Sequence, residues 1–312
     1  MLADFFGQRA FRIVSIPSMG NEENSTPGHP GSVWLRRVPA NARGRDFIVG
    51  DIHGCLDELI ALLAHARFNP KRDRVFSVGD LIDRGPRSAD ALELLEKPWF
   101  FAVRGNHEQM LLDHWQSPEE HPAYDPQWLK GIHPDSIPYY VSLLGSLPHV
   151  IKVGQRPSSF YILHAELWDP SQLLTDSAID DFKFSDPRQA LGKILWSRHM
   201  VTNHWRDPTR RFHSPDLSRV FCGHTIVQMP TLIERSVYMD TGAFAPYIDP
   251  ANSQAEHYGL TLVEASTLRH WFAPTCADYR GTVVEMTKLD DQCESPPDMQ
   301  ANQMQPESPP TS

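Results

Sequence analysis

Two apolar runs that lie 29 residues apart both end in Gly-Asp: "FIVGD" closes at Asp51 and "RVFSVGD" at Asp80. A third run, "WFFAV", leads into "RGNHEQMLLDHW". Each is followed by a helical pattern. After the first, Leu56, Leu59, Ile60 and Leu63 recur at helical spacing; after the second, "SADALELLEK" reads as a helix capped by Ser88. Strands alternating with helices predict a mainly parallel sheet with helices on its faces, because a parallel connection needs a crossover long enough for a helix. Ligands of such sheets gather beyond the carboxyl ends of the strands. The quoted loops all lie there, so their polar residues are candidates for one shared site.

Further along, "SSFYILHAE", "SRVFCGHT", "SVYMDTGA" and "YGLTLVEA" read as strands, the last two as hairpin candidates, so a second sheet or a mixed edge is expected. Residues 116–148 are rich in Pro, Trp and Tyr without a clean period and read as a helical, loop-heavy insert near the mouth of the site. Residues 1–44 read as a flexible leader, 45–280 as the folded catalytic domain, and 281–312 as a disordered, acidic, Pro-rich tail. No stretch approaches the roughly 18 to 20 apolar residues that cross a bilayer, and no membrane partner is expected. Cys55, Cys222, Cys276 and Cys293 form no C-x-x-C pair, which favours a reducing, cytoplasmic setting. A formal net charge of −10 argues against a nucleic-acid partner. The sequence is silent on oligomeric state.

Six positions at the predicted strand ends carry side chains that a divalent metal accepts: Asp51, His53, Asp80, Asn106, His164 and His224. Carboxylate, imidazole and amide donors suit Mn, Fe or Zn, and the lack of thiolate argues against a structural zinc site. Six are too many for one catalytic ion with open positions; they suit two ions that share a bridging carboxylate. Arg84 in "DRGP" and Arg198 in "WSRH" are candidates for holding an anion, since the planar guanidinium matches two phosphate oxygens. His107 directly follows Asn106, so one residue can ligate while the other protonates a leaving oxygen. Asp83 is placed to hold that imidazole in one tautomer and favour its cation. Singly, each feature has a plain structural reading: Gly-Asp after a strand is ordinarily a turn. Asp240 in "DTGA" is assigned a structural turn, Cys55 and Cys222 packing, and Trp99, Trp128 and Trp271 core positions.

Taken together, "GDIHG", "GDLIDRG" and "RGNHE", with the later "HAE" and "GHT", resemble the phosphoprotein phosphatase family of dinuclear metallophosphatases, in its bacterial and bacteriophage branch. The resemblance runs from about Phe47 to about Ala265. It implies an α/β, calcineurin-like metallophosphatase fold, a four-layer sandwich of two mixed β-sheets flanked by helices. It further implies that Asp51 and His53 bind the first metal, that Asp80 bridges both, and that Asn106, His164 and His224 complete the second. Arg84 and Arg198 would hold the phosphate, and His107 with Asp83 would serve as acid and orienter.

The expected activity is that of a serine/threonine protein phosphatase. A metal-bridging hydroxide would attack a phosphorylated protein or peptide, with His107 as general acid and two divalent ions, Mn foremost, as cofactors. The alternatives are a symmetric dinucleoside tetraphosphate hydrolase and a non-catalytic phosphoprotein-binding module. Two departures from the family pattern stand out. Glu166 closes "HAE", two residues after His164, where relatives usually have Ala-Asp or Ala-Gly, and is expected to alter the rim of the site. The Ser-Ala-Pro-Asn-Tyr segment of eukaryotic members is missing, which argues against a eukaryote-type substrate surface.

Overall fold

The quoted apolar runs are buried on both faces, and the two-residue alternation of a strand sorts their side chains between separate cores. A computed structural model describes residues 33–249, 257–275 and 283–286. The chain order is β1 (Leu35–Val38), β2 (Asp46–Val49), α1 (Leu56–His65), β3 (Arg74–Ser77), α2 (Ser88–Leu92), β4 (Phe100–Ala102), α3 (Asn106–Gln116) and α4 (Ile137–Gly145). Next come β5 (Val150–Val153), β6 (Phe160–Ile162), α5 (Asp176–Asp180), α6 (Pro187–Trp196), α7 (His199–Arg206) and β7 (Arg219–Cys222). The last described elements are β8 (Thr231–Ile233), β9 (Ser236–Tyr238), α8 (Ala245–Ile248), β10 (Gly259–Glu264), β11 (His270–Pro274) and β12 (Val284–Met286).

One sheet has the order β1-β5-β6-β7-β9-β8 and the other β12-β11-β10-β2-β3-β4. Both are mixed: β2, β3 and β4 run parallel with β10 antiparallel beside β2, while β6, β7 and β9 run parallel with β5 antiparallel beside β6. Successive strand residues face opposite ways. Phe47 and Val49 therefore point into the cluster under α1, while Ile48 between them enters the layer between the sheets. Tyr161 and Cys222 face the cluster that includes α5 and α6 residues, while their neighbours Ile162 and Phe221 join Ile48 in the central layer. Helices, sheet, sheet, helices make four layers, the architecture that the resemblance implied.

Three expectations need correction. The leader does not extend to residue 44, because Leu35–Val38 pairs with Val150–Val153 and Trp34, buried, donates its indole N–H to Ile179 O at 2.8 Å. The strand is short and its centre, Arg36 and Arg37, is exposed, so no alternation signals it. Residues 1–32 and 287–312 lie outside the described residues, as do Cys276 and Cys293. Ser88 is the first residue of α2 rather than its cap, which is Arg87. The two hairpin candidates belong to different sheets: Ser236–Tyr238 turns back on β8, and Gly259–Glu264 pairs with β11.

Phe47 shows how tightly the parallel sheet is tied to its neighbours. It is fully buried, with ring centroids of Phe68 and Trp271 at 6.1 and 5.9 Å. Phe47→Ala is expected to cost about 3–5 kcal/mol of stability, measured as a lower urea midpoint with an unchanged slope. A loss under about 1 kcal/mol would mean that this core repacks freely.

Candidate active site

The strand ends of β2, β3, β4, β6 and β7 meet at one edge, and the loops there turn sharply. His53, Asp80, Asp83, Arg84 and His224 all have positive φ, from 44° to 70°. They are five of the nine non-glycine residues with positive φ among the described residues. Each such residue costs of order 1–3 kcal/mol, so these loops are held by their surroundings and not by local preference.

Glu108 supplies much of that hold. Fully buried, it accepts the N–H groups of Asp80 (2.9 Å) and Gly105 (2.8 Å) on Oε2 and that of Leu81 (2.8 Å) on Oε1. Glu108 supplies the carboxylate half of a capping box at the start of α3, Gly105 having no side chain to return the bond, and the same carboxylate also grips the loop after β3. Asp80 is thereby fixed against Asn106 and His107 at the start of α3. Glycine is required at 105, since a Cβ there would lie 2.1 Å from Asp80 Oδ1.

Asp80 is the shared member of two buried groups, whose ligand-type atoms lie within 4.8 Å of one another. One contains His53 and His107, the other His164 and His224. Backbone carbonyls fix the imidazoles. His53 Nδ1 lies 2.7 Å from Ile82 O, and His164 Nδ1 lies 2.9 Å from Val78 O, which turns both Nε2 atoms to Asp80 at 3.5 Å. His224 is reversed: its Nε2 meets Trp196 O at 3.2 Å, and its Nδ1 faces Asn106 Oδ1 at 3.0 Å. His164 Nε2 reaches the same Asn106 oxygen at 2.8 Å. Asp51 belongs to neither group. Its carboxylate accepts the His224 N–H at 3.1 and 3.2 Å, and glycine at 223 makes room for it, because a Cβ there would lie 1.9 Å from Asp51 Oδ1.

Beside these groups stands a second arm. His107 Nδ1 lies 2.7 Å from Asp83 Oδ2, and His107 Nε2 is buried with no hydrogen-bond partner among the described residues. Asp83 also accepts the Tyr124 hydroxyl at 2.9 Å and the Trp128 indole N–H at 2.6 Å. Arg84 approaches His53 Nε2 at 3.4 Å, with its guanidinium carbon 4.3 Å above the Phe244 ring. Arg198, at the N-terminus of α7, donates to His224 O at 3.5 Å.

The electrostatics suit divalent cations. Burial pushes the imidazoles of His53, His164 and His224 toward the neutral form that ligates, helped at His53 by Arg84 and at His224 by Arg198. With each of those rings donating its other nitrogen to a carbonyl, His164 and His224 aim lone pairs at the Asn106 oxygen. Three acceptors then converge with no proton between them, a donor set whose chemistry suits a divalent cation. The carboxylates point the same way. Burial and then the charges of Asp240 and Asp80 push Asp51 well above the usual carboxylate range, and burial pushes Asp240 up to about 6. A bound cation would relieve both.

The structure thus brings Asp51, His53, Asp80, Asn106, His107, His164 and His224 together, with Asp83, Arg84 and Arg198 around them. Four residues of this neighbourhood were given no part in the site from sequence. Glu108 was legible as the fourth residue of Gly-x-x-Glu at a strand-to-helix junction. Asp240, read as a turn residue, is buried, and its Oδ2 has no hydrogen-bond partner among the described residues. Trp128, read as a core anchor, spends its indole N–H on Asp83. Tyr124 and Trp128 lie in the aperiodic stretch 116–148, where no pattern marks them.

Glu166 corrects a further expectation. It does not shape the rim but is buried at the N-terminus of α7, accepting the N–H groups of Met200 (2.9 Å) and Val201 (3.0 Å) and the hydroxyls of Ser197 (2.9 Å) and Tyr238 (2.7 Å). It ties the strand end bearing His164 to the turn bearing Arg198.

Comparisons with known proteins agree with this geometry. The profile of the calcineurin-like phosphoesterase family matches residues 47–228. Serine/threonine-protein phosphatase 1 of Salmonella typhimurium is 33% identical over 218 residues, covering 67% of this chain and 91% of that protein. The symmetrical bis(5'-nucleosyl)-tetraphosphatase of Yersinia pestis is 48% identical over 68 residues, covering 21% of this chain and 24% of its own. Among solved structures, a candidate diadenosine tetraphosphatase superposes with a TM-score of 0.53 at 20% identity, over 77% of this chain and 98% of that one.

Two substitutions check the assembly. Gly223→Ala is expected to displace Asp51 and weaken divalent-cation binding by roughly 10–100-fold, measured by competition with a metallochromic chelator. Native affinity in a folded variant would show that Asp51 plays no part. Glu166→Ala leaves two buried N–H groups without an acceptor and is expected to cost about 1–3 kcal/mol in chemical denaturation. Unchanged stability would mean that water replaces the carboxylate.

Proposed function

The chain belongs to the calcineurin-like phosphoesterase family of metal-dependent phosphoesterases, and we propose that within it this protein is a serine/threonine protein phosphatase. The observation that carries the assignment of chemistry is the pairing of His107 with Asp83 beside the two groups that share Asp80. Similarity to a named protein phosphatase over nine tenths of that protein's length supports a phosphorylated protein or peptide as substrate. The dinucleotide hydrolase match, although higher in identity, spans only 68 residues, and so supports shared chemistry more than a shared substrate.

In this reading Asp51, His53, Asp80, Asn106, His164 and His224 hold two divalent ions, Mn first among oxygen- and imidazole-preferring metals. Such ions, when bound, supply Lewis acidity and lower the pKa of a water, so that an oxygen nucleophile forms at neutral pH. Arg84 and Arg198 bind the phosphate oxygens, and their fixed charges stabilise the negative charge that grows there. Phe244 beneath Arg84 limits where that guanidinium can go. His107 carries its proton on Nε2 to the departing serine or threonine oxygen. Asp83 accepts from His107 Nδ1–H, which fixes the ring and its tautomer. Tyr124 and Trp128 hold Asp83 in turn, so the 116–148 segment reaches the acid through one carboxylate. A cytoplasmic setting fits the free, buried thiols of Cys55 and Cys222.

His107→Asn is expected to lower kcat by about 10²–10⁴-fold while the bound metal content stays native; near-native kcat would remove His107 from the acid role. The substrate class is read by comparing kcat/KM for a phosphoserine or phosphothreonine peptide with that for diadenosine tetraphosphate in the presence of Mn. Preference for the peptide is expected, and a clear preference for the dinucleotide would overturn the protein-phosphatase reading.

A further inference from the structure

We propose that a cleft at the opposite end of the strands from the catalytic edge is a second anion site, built to take a phosphate group. It has a volume of about 630 Å3 and lies where β6 and β7 begin and β1, β5 and β10 end. Arg45, Arg156, Arg219 and Arg235 line it against a single lining carboxylate, Asp46. In a chain with a formal net charge of −10, this is a local reversal of sign, and a concave basic surface of that kind concentrates anions.

The arginines differ in what they are free to do. Arg45 is 2.9 Å from Asp73 and donates to Ala66 O and Arg67 O at 3.0 and 2.9 Å. Arg156 faces Asp176 at 3.5 Å and Asp216 at 3.8 Å. Asp46 is held by two bonds from Arg74, each 2.8 Å, and adds no free negative charge. Arg219 and Arg235 remain. Arg235 donates only to Pro215 O, at 3.4 Å, and Arg219 has neither a hydrogen bond nor an ion pair among the described residues.

The Val220 N–H bonds to Arg235 O at 2.8 Å, so the two side chains spring from adjacent backbone positions. Burial and the charge of Arg235 both work against the charge of Arg219. Two neighbouring guanidinium groups without a carboxylate partner among the described residues, Arg219 half-buried and Arg235 exposed, present paired planar forks that match a phosphate dianion.

The lining also selects among phosphates. Phe160 is the one aromatic ring in the wall, and it is engaged edge-on with Phe76 and Phe221, at 6.2 and 5.6 Å. The wall thus offers a nucleobase a single aromatic ring, one already engaged with two others. The volume does admit a phosphorylated side chain with its neighbours. Arg219 opens β7 and His224 follows its end, five residues later, so the cleft stands roughly 16 Å from the catalytic edge at about 3.3 Å per strand residue. A phosphate held here touches no catalytic group. It is either a second phosphorylated residue of a protein substrate or released inorganic phosphate. The site does not depend on the protein-phosphatase reading.

The test is equilibrium dialysis of radiolabelled inorganic phosphate against the metal-loaded full chain and its Arg219→Gln/Arg235→Gln variant. The native chain is expected to hold a second phosphate equivalent that the variant lacks. Turnover of p-nitrophenyl phosphate, and its inhibition by phosphate, should agree within about two-fold between the two proteins, because changes this far from a reacting centre are close to independent. Equal phosphate stoichiometry in both proteins overturns the site, as does a native chain whose bound phosphate is all accounted for by product inhibition. The source is read by displacing the second equivalent with a non-hydrolysable phosphonate peptide. Displacement at concentrations about ten-fold below those of free phosphate assigns the cleft to phosphorylated protein, and no such advantage assigns it to the free anion.

Discussion

Three backbone N–H groups, from Asp80, Leu81 and Gly105, converge on the carboxylate of Glu108, and the catalytic edge depends on that convergence. It joins the loop that ends one parallel strand to the helix that begins after the next. Without it, Asp80, Asn106 and His107 would belong to separate surface turns. With it, a carboxylate, an amide and an imidazole from two loops are held in one fixed relation, even though Asp80 has a φ of 50° that its own side chain disfavours. The carboxylate that organises the site is itself strained: burial and the Asp80 charge push Glu108 up to about 7. Positive charge placed at Asp80 would ease that strain, so metal binding and the order of the loops reinforce one another.

The two sheets divide the labour. The sheet containing β2, β3 and β4 supplies Asp51, His53, Asp80, Asn106 and the His107–Asp83 arm; the other supplies His164 and His224 from the ends of β6 and β7. The apolar layer between them, with Ile48, Phe76, Ile162 and Phe221 at its centre, therefore sets the distance across the site. Both halves of the candidate ligand cluster are buried, and Asp51, Asp80 and Asp240 crowd there with Arg84 and Arg198 as the nearby fixed cations. That arrangement is unfavourable for a bare fold and useful for a site that must draw in positive ions. At the other end of the same strands the sign is reversed: four arginines line the cleft there against one carboxylate, where the first end gathers Asp51, Asp80 and Asp240. One short strand, β7, joins the two.

What was legible in the sequence follows from how local its cause is. The parallel strands were visible because "FIVGD" and "RVFSVGD" are continuous apolar runs, as strands covered on both faces must be. The candidate ligand residues were visible because each sits just after such a run. β1 was not, since its Arg36 and Arg37 are both exposed and its partner, β5, is more than a hundred residues away. Glu166 was read by its neighbours as a surface variation, whereas its environment is set by α7, thirty residues on. Tyr124 and Trp128 act through single side-chain hydrogen bonds to Asp83, and a contact of that kind leaves no period in a sequence. Asp240 looked like an ordinary turn because its significance is electrostatic, visible only once Asp51 is seen beside it.

The central claim is that Asp80 is common to two cation sites. Its most direct test is the divalent metal content of the purified chain and of Asp80→Asn, measured by inductively coupled plasma mass spectrometry after dialysis. The native chain is expected to retain about two ions and the variant to retain neither at comparable affinity. A variant that keeps one ion as tightly as the native protein would show that the two groups meeting at Asp80 do not share it.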